Sequence, residues 1–484
     1  IDKAFLQRLG VNISNLNPKN IRIYGNGGAM LPQRNSDFRF DDLVENAILV
    51  SGEEDGVFND EDYILFYGKG PHDWVLNPSI ETASHRQNIY SDKSYYFLTI
   101  ANSAGKRIST KPENTNSITK TITRFDDFMF YEKEERNLFA IGTQWFGEDF
   151  SVNDTQNFTL DFKNIDVSSP IEIKVRGGAI SALESTMNVS VNSQNAFSIP
   201  YPKVTTGSLT LGYANHNSSS LSVNSSVIDV SIVYNNKGNP GAKAYLDYIE
   251  VKGKKLLTAE GKQFSFRSFE AFKTSGIVEY QVTNSNNITE LWDVTDYVNP
   301  QKILNNSSGS DFAFKSFGGV LNEFIVLNDS DYYTPEISDN ALITNQNLHA
   351  IKDINYLIIT NDELRSQAQR LADFHQQNSG LTTQVVQLSK IYNEFASGSP
   401  DITGIRDFIK HLFTTNTTNK GKLKYVCFFG DGSYDYKDRI TDNNNIVPVY
   451  ESGQSFNLAT SYVTDDFFVM LDVNEGLMQA SGTL

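Results

Sequence analysis

The stretch Tyr356-Leu357-Ile358-Ile359-Thr360 is short and almost wholly apolar, which predicts a strand buried on both faces. Two similar stretches follow at 383–388 and 423–429. Between the three, apolar residues recur at helical spacing at 364–375 and again at 402–413. The segment Ser399-Pro400-Asp401 predicts the start of the second helix, with Ser399 as its cap. This β-α-β-α-β order predicts right-handed crossovers and a parallel sheet.

Upstream of residue 345 the pattern changes to short strands in which apolar and polar residues alternate, separated by Gly, Asn and Ser clusters. Clear examples are 158–162, 171–175, 228–232 and 244–251. Regular short strands with turn signals indicate a β-sandwich or barrel. We therefore predict a β-rich domain over 1–125, a jelly-roll-like β-sandwich over 126–344, and an α/β domain that begins at 345 and continues to 484.

The composition narrows the classes of partner. The 484 residues carry 41 Lys and Arg against 58 Asp and Glu, a net charge of −17, and the pI is about 4.8. Such a chain has no excess of positive charge for phosphate, so we expect no nucleic-acid partner. No apolar run approaches the roughly 20 residues of a membrane-spanning helix.

Few residues stand out as candidates for chemistry. Gly430-Asp431-Gly432 follows the third strand of the parallel sheet, where sites form in such folds, although a tight turn with local hydrogen bonds explains it equally well. Cys427 lies mid-strand between apolar residues, which predicts a buried, inert thiol. No two of the six histidines have a metal-ligand spacing, so the sequence predicts no zinc site.

An acidic segment, 53–62, carries six acids in ten positions directly before the apolar run 63–67. Oxygen groups this dense repel one another unless they are solvated or bridged by a hard cation such as Ca²⁺. We expect Asp55, Asn59, Asp60 and Asp62 to be the calcium ligands. A solvated acidic turn is the competing interpretation.

Three segments together resemble one family: 57–68 (VFNDEDYILFYG), 292–298 (WDVTDYV) and 429–434 (FGDGSY). They are similar to the gingipain-like cysteine peptidases of Bacteroidetes, in particular to the sortases of the type IX secretion system. The resemblance implies a caspase-like α/β domain with a Cys–His dyad. The part from 345 to 484 would then be the first half of that peptidase domain, after β-rich N-terminal domains.

The resemblance also implies roles for individual residues. Family members carry the dyad His in a Gly-His-Gly turn and the dyad Cys after a later strand; neither motif occurs here, and Cys427 is not at the nucleophile position. We therefore expect this chain alone to be inactive. Glu451 matches the acid that orients the histidine, and Asp465 matches the acid that lines the specificity pocket. Both are also explained as ordinary loop acids.

The function implied is removal of C-terminal signal domains from type IX secretion substrates and their attachment to anionic lipopolysaccharide. The expected partners are those substrates, the outer-membrane attachment-complex proteins and the lipopolysaccharide, on the extracellular side of the outer membrane at the cell surface. The chemistry requires no cofactor. A secreted gingipain-like protease and a non-catalytic β-sandwich adhesin or scaffold are the alternatives, although an adhesin has no need of the parallel sheet.

Overall fold

The structure is a computed structural model that describes residues 1–307, 309–339, 341–415 and 422–478. Strands dominate up to residue 327, and the longer helices lie beyond it. In the described residues no helix combines the length and the apolar character needed to cross a membrane. The expected fold class, β-rich domains followed by the first part of an α/β domain with a parallel sheet, is confirmed.

The N-terminal hundred residues form a small unit around one apolar core. Its elements are α1 (Lys3–Arg8), β1 (Ile21–Tyr24), β2 (Glu45–Asn46), β3 (Leu49–Ser51), β4 (Tyr63–Leu65), β5 (Asp73–Asn77), β6 (Thr82–Arg86) and β7 (Phe97–Ile100). An antiparallel sheet has the order β2-β1-β7, while β3–β4 and β5–β6 are separate hairpins. Ile21 and Ile23 are fully buried in the core because alternate residues of β1 point inward, and Phe58 and Ile64 pack against them.

The segment from residue 109 to residue 327 contains one continuous sheet of nine strands and the strands of two smaller sheets. Its elements are β8 (Ser109–Thr110), β9 (Lys120–Ile122), β10 (Arg124–Glu132), β11 (Thr155–Asp161), β12 (Ile171–Ile180), β13 (Ser185–Val191), β14 (Gln194–Tyr201), β15 (Tyr213–Leu221), β16 (Val227–Asn235), β17 (Lys243–Leu256), β18 (Phe264–Arg267), α2 (Phe269–Lys273), β19 (Ile277–Val282), β20 (Glu290–Asp293), β21 (Gln301–Lys302), β22 (Phe312–Phe317) and β23 (Glu323–Leu327). The order in the large sheet is β15-β12-β17-β10-β18-β23-β20-β21-β8.

Two smaller sheets cover the two halves of this large sheet, so the segment contains two sandwiches. The sheet β11-β16-β13-β14 packs on the first half around Ile173, Ile232 and Ile249. The sheet β22-β19-β9 belongs to a second core built on aromatic rings, with Phe314 and Phe324 centroids 4.9 Å apart. The range 126–344, expected as one sandwich, thus holds two cores, and the expected boundary at 125 falls inside β10.

The α/β unit follows the predicted order. Its elements are β24 (Tyr356–Thr360), α3 (Arg365–Ser379), β25 (Thr383–Gln387), α4 (Leu388–Phe395), α5 (Ile402–Thr415), β26 (Tyr425–Phe428), β27 (Tyr450–Glu451) and β28 (Val463–Thr464). The strands β25-β24-β26 form a parallel sheet, which confirms that prediction. Helix α3 packs on one face of this sheet, and α4 and α5 pack on the other.

The cap of α5 differs from the prediction. Asp401, rather than Ser399, accepts the backbone N–H of Thr403 through Oδ1 at 2.8 Å, while Oδ2 accepts the N–H of Leu31 at 2.8 Å. The Ser399 hydroxyl is buried and has no hydrogen-bond partner among the described residues. The N-terminal unit covers this end of α5 and shields the Asp401 carboxyl from water. Burial therefore raises the pKa of Asp401 to about 6. The carboxyl group therefore joins the N-terminal unit to the α/β unit.

The α/β unit is also seated on the first sandwich by an aromatic ring. Phe456 packs against Phe146 and Tyr245. Its ring occupies space that side chains on β12 and before β15 would fill, since a Cβ at Gly178 would lie 3.0 Å from Phe456 Cζ and one at Gly212 2.6 Å from Phe456 Cδ1. These two glycines form a notch in the sheet surface for a residue of the α/β unit.

A buried histidine joins the hairpin β5–β6 to the large sheet. The His85 ring lies 2.6 Å from Glu132 through Nε2 and 2.6 Å from Glu250 through Nδ1, and it stacks on Phe130. Both ring nitrogens face carboxylates, so both donate hydrogen bonds and the ring is an imidazolium. Burial lowers the pKa of His85, but the hydrogen bonds to Glu132 and Glu250 outweigh it and place the pKa above 6.5.

This geometry predicts a pH dependence of stability. A raised histidine pKa contributes stability that is complete below pH 6.5 and is lost as the pH rises through the folded-state pKa. We expect His85→Gln to lower stability by about 3 kcal/mol at pH 6, because it removes the cation between Glu132 and Glu250 and leaves Glu250 with Lys174 at 3.2 Å, and by less at pH 9. Thermal melts at both pH values measure this. His375→Gln, at a half-buried histidine of α3, is the control, and an equal loss for His85→Gln at both pH values would contradict the imidazolium.

Candidate functional site

The carboxyl ends of the parallel strands open onto a cleft, which is where sites form in open α/β sheets. Its volume is about 290 Å³. The lining comes from the ends of β24 and β25, from α4 and from the segment after β26: Asn361, Asp362, Leu388, Ser389, Tyr392, Pro400, Tyr436, Asn445, Ile446 and Pro448. Polar side chains therefore meet apolar walls at this edge of the sheet.

The turn Gly430-Asp431-Gly432 lies behind this cleft, where it contacts the lining residue Ile446. Asp431 is exposed, as the sequence suggests, and its backbone carbonyl accepts the N–H groups of Ile446 and Val447. The glycines serve close packing: a Cβ at Gly430 would lie 2.4 Å from Ile446 Cγ2, and one at Gly432 would lie 2.7 Å from Val449 Cγ1. The turn thus holds the segment 446–449 that leads to Glu451.

Tyr436 fixes the end of that segment. Its hydroxyl donates to the carbonyl of Val449 at 2.8 Å and accepts the N–H of Glu451 at 3.0 Å. The ring packs against Tyr90 of the N-terminal unit, with centroids 4.9 Å apart. Burial raises the pKa of Tyr436 far above its usual value, so the hydroxyl stays protonated and keeps its donor.

Glu451 is buried, with 6% of its surface exposed. Its Oε2 accepts the backbone N–H of Gly142 at 2.8 Å, the one hydrogen bond to this carboxylate among the described residues. Gly142 lies in the connection 133–154, between β10 and β11. Burial raises the pKa of Glu451 to about 7, against a smaller lowering by the Gly142 N–H. The carboxylate keeps capacity to accept a further donor.

Asp465 lies on the same hairpin. Strands β27 and β28 pair Glu451 with Val463, and Asp465 follows β28 directly. The Asp465 side chain is exposed, yet neighbouring protein removes part of its water and, together with the charge of Asp466, raises its pKa. The structure therefore brings Glu451 and Asp465, chosen from sequence, to one hairpin, whose first strand follows the segment 446–449 that the Gly430–Gly432 turn holds. Their catalytic roles stay predictions.

The acidic segment near the N-terminus is held by protein groups. Asp60 pairs with Lys3 at 2.7 Å, Asp62 accepts the N–H of Asn59, and the Asn59 amide donates to Asp55 at 3.0 Å. The carboxylates of Asp55, Asp60 and Asp62, all in the described part of the chain, do not converge on one point. Calcium binding at these four residues stays a prediction.

Cys427 differs from its predicted burial. It is half-buried and pairs with Ile358 across β24 and β26. In the described residues β26 is an edge strand, so one side of it is open. Cys427 packs on the α3 face of the sheet, whereas its neighbours Val426 and Phe428 and the residue Tyr450 belong to the opposite face. The Cys427 thiol therefore lies on the α3 face of the sheet, opposite to the core that contains Tyr450, the neighbour of Glu451.

Several residues around the site carry no sequence signal. Trp145 stacks on Tyr434 and lies under the Arg439 guanidinium, whose carbon is 3.6 Å from the indole centroid. Lys437 pairs with Glu134 at 2.6 Å. Each pair joins the first sandwich to the segment after β26 across some 300 residues of chain, a separation at which no local motif applies.

The raised pKa of Glu451 gives a stability prediction. A carboxyl whose pKa rises from 4.5 to about 7 on folding stabilises the protein fully below pH 4.5, and that stability is lost as the pH rises through 7. We expect Glu451→Gln to be more stable than the parent by about 1–3 kcal/mol at pH 8 and equal to it near pH 4.5. Denaturant titrations at both pH values test this. The exposed Glu363→Gln is the control. A stability difference between Glu451→Gln and the parent that did not change with pH would contradict the raised pKa of Glu451.

The glycine contacts give a second prediction. Gly432→Ala places a methyl group 2.7 Å from Val449 Cγ1, so we expect a loss of about 1–3 kcal/mol. Gly453→Ala is the matched control, because nothing lies within 4 Å of its Cβ position. We compare the melting temperatures of both variants. Equal values would show that the segment 446–449 moves away from the added methyl group without loss of stability.

Comparisons with known proteins agree with this architecture. Residues 349–481 match the family model of peptidase family C25. No curated protein matches the chain. A crystal structure of dimeric latent PorU from Porphyromonas gingivalis is similar, with a TM-score of 0.83 and 24% identity over 98% of this chain. The chain spans 45% of the length of that protein.

A carbohydrate-binding CBM36-1 domain of a xylanase from the hindgut metagenome of Trinervitermes trinervoides is far less similar. It has a TM-score of 0.18 and 10% identity over 26% of this chain and 96% of its own, too little to support any conclusion. The resemblance found in the sequence is thus confirmed. The chain has the fold of PorU over nearly its whole length, and its α/β part carries the match to peptidase family C25.

Proposed function

We propose that this chain is part of a gingipain-like cysteine endopeptidase that acts as a sortase. The observation that carries the proposal is the match of residues 349–481 to peptidase family C25, on a chain with the PorU fold. The proposed substrates are type IX secretion proteins, which lose their C-terminal signal domains and are joined to anionic lipopolysaccharide. The proposed setting is the cell surface, with outer-membrane attachment-complex proteins as partners.

The proposed chemistry is acyl transfer. A cysteine thiolate attacks the carbonyl carbon of the scissile amide, the C–N bond breaks as the dyad imidazolium gives its proton to the leaving nitrogen, and a thioester remains while the signal domain departs as an amine. An amine of the lipopolysaccharide then attacks the thioester and gives its proton to the imidazole, the C–S bond breaks and the thiolate is released. Water at the same step would give hydrolysis instead, which is the chemistry of the alternative, a secreted protease.

Glu451 suits the role of a positioning residue for the dyad histidine. The carboxylate is buried, is held from one side by the Gly142 N–H, and retains acceptor capacity on the other. An imidazolium that donated to it would offset its cost of burial and would be held in one orientation. Asp465 is exposed beside the same hairpin, which suits a carboxylate that receives a substrate side chain.

The proposal predicts distinct kinetic effects in the full-length protein. We expect Glu451→Gln to lower kcat by roughly 10²–10⁴-fold, with little change in KM and with a shifted pH profile, because the histidine loses its orienting acceptor. We expect Asp465→Ala to lower kcat/KM by roughly 10–100-fold, mainly through KM. Cleavage of a protein that carries a C-terminal signal domain gives both constants.

The exposed Glu363→Gln is the matched control for loss of a carboxylate in the same unit. Parental kinetics for both Glu451→Gln and Asp465→Ala would reduce these residues to ordinary loop acids. Mass analysis of the products with an added amine acceptor separates the functions: an amide to the acceptor supports the sortase, and a free carboxylate alone supports the protease. No turnover by the full-length protein would favour the adhesin or scaffold.

A further inference from the structure

A second cluster of polar side chains lies where the N-terminal unit meets the α/β unit. Asp42, His349 and Glu394 each bring one ligand atom within 4.8 Å of the other two. Among the described residues this is the single group of His, Cys, Asp or Glu side chains that does so. The three residues come from the loop before β2, a 3₁₀ turn before β24 and the end of α4.

The histidine ring is fixed in one orientation. Glu394 is buried and receives the N–H of Leu348 on both carboxylate oxygens at 2.8 Å, so the turn that carries His349 is anchored to α4. The ring stacks on Phe395, with centroids 4.5 Å apart and an angle of 13° between the planes. The edge of the His349 ring also meets His411, whose Nε2 lies 3.2 Å from the His349 carbonyl oxygen.

The two nitrogens of His349 then have different roles. Nδ1 lies 3.0 Å from Glu394 Oε1, and a carboxylate accepts, so Nδ1 carries the hydrogen. Nε2 is buried and has no hydrogen-bond partner among the described residues. Its nearest charged neighbour is a carboxylate oxygen of Asp41, 3.5 Å away. A lone pair on Nε2 opposite that carboxylate is unfavourable, so the position calls for a proton or a cation. The 3.5 Å gap is longer than the 2.6 Å contacts of the His85 imidazolium, which favours a cation.

The loop that supplies the carboxylates is also fixed. Arg39 makes two hydrogen bonds to Asp407 of α5, at 3.0 and 3.1 Å, just before this loop. The Asn26 amide donates to the carbonyl of Asp42 at 3.1 Å, and the Asn26 side-chain oxygen accepts the N–H of Val44. The backbone at Asp42 is thereby held against the α/β unit before any ligand binds.

We propose that this cluster is a divalent-cation site. Nε2 of His349 holds the ion, the exposed side chains of Asp41 and Asp42 turn toward it to complete the ligand set, and Glu394 orients the imidazole through Nδ1. A carboxylate behind a ligating histidine is the usual support of such a ligand. An imidazole ligand favours a transition-metal ion such as Zn²⁺, because Ca²⁺ and Mg²⁺ take oxygen ligands. The ion would join the N-terminal unit to the α/β unit.

The test uses Zn²⁺ alone on the chelator-treated chain. We expect one Zn²⁺ per chain by elemental analysis after gel filtration, and a rise in Tm with added Zn²⁺. Asp42→Asn and His349→Gln should each weaken Zn²⁺ binding, measured by calorimetry, by at least about 10-fold, and Glu394→Gln by roughly 10–100-fold. Asp42 is exposed, so Asp42→Asn should leave the fold intact.

His375→Gln and Asp37→Asn are the matched controls, since both residues lie outside the cluster; His375 is half-buried like His349, and Asp37 is exposed like Asp42. Both controls should bind Zn²⁺ like the parent. No binding by the parent, or parental affinity in both Asp42→Asn and His349→Gln, would overturn the site. Displacement of Zn²⁺ by equimolar Ca²⁺ would overturn the assignment of an imidazole-ligated ion. None of these measurements depends on peptidase activity.

Discussion

The seat of Phe456 in the notch between Gly178 and Gly212 sets the position of the candidate site. The ring can reach Phe146 because neither glycine has a Cβ to oppose it. On both sides of the ring the backbone is paired with the sandwich: Leu211 donates to the Phe456 carbonyl, and Thr143 donates to the carbonyl of Ser452. Glu451 directly precedes Ser452 in the chain. The absence of side chains at Gly178 and Gly212 therefore helps to fix where the buried carboxylate of Glu451 lies.

Local patterns predicted the elements well. Strand β24 has the predicted bounds, and the alternation at 228–232 matches β16, because burial of every second residue is written into the sequence itself. The same alternation could not show that the range 126–344 holds two cores, because the sequence pattern of a strand is the same whichever sheet packs on it. The cap of α5 was misassigned to Ser399 because the N–H of Leu31, some 370 residues upstream, helps to select Asp401.

The candidate site was predictable only in part. Family resemblance selected Glu451 and Asp465, and strand pairing brings them onto one hairpin. Nothing local marks Gly142 as the donor to Glu451. His85 with Glu132 and Glu250 is equally silent in the sequence, since each residue sits in an unremarkable strand pattern. Groups that become close only through packing leave no spacing to detect, and the surroundings of Glu451 and His85 are made of such groups.

The donor to Glu451 is a main-chain amide, and this has a consequence for how the protein can diverge. Any residue except proline at position 142 would supply the same N–H, so the hydrogen bond itself makes almost no demand on side-chain identity. The backbone there has φ of 72°, and a Cβ would lie 2.4 Å from Ser455 Oγ, so sterics retain the glycine. The α/β unit is consequently not a free-standing module: exchanging it between relatives would require carrying the connection 133–154 with it.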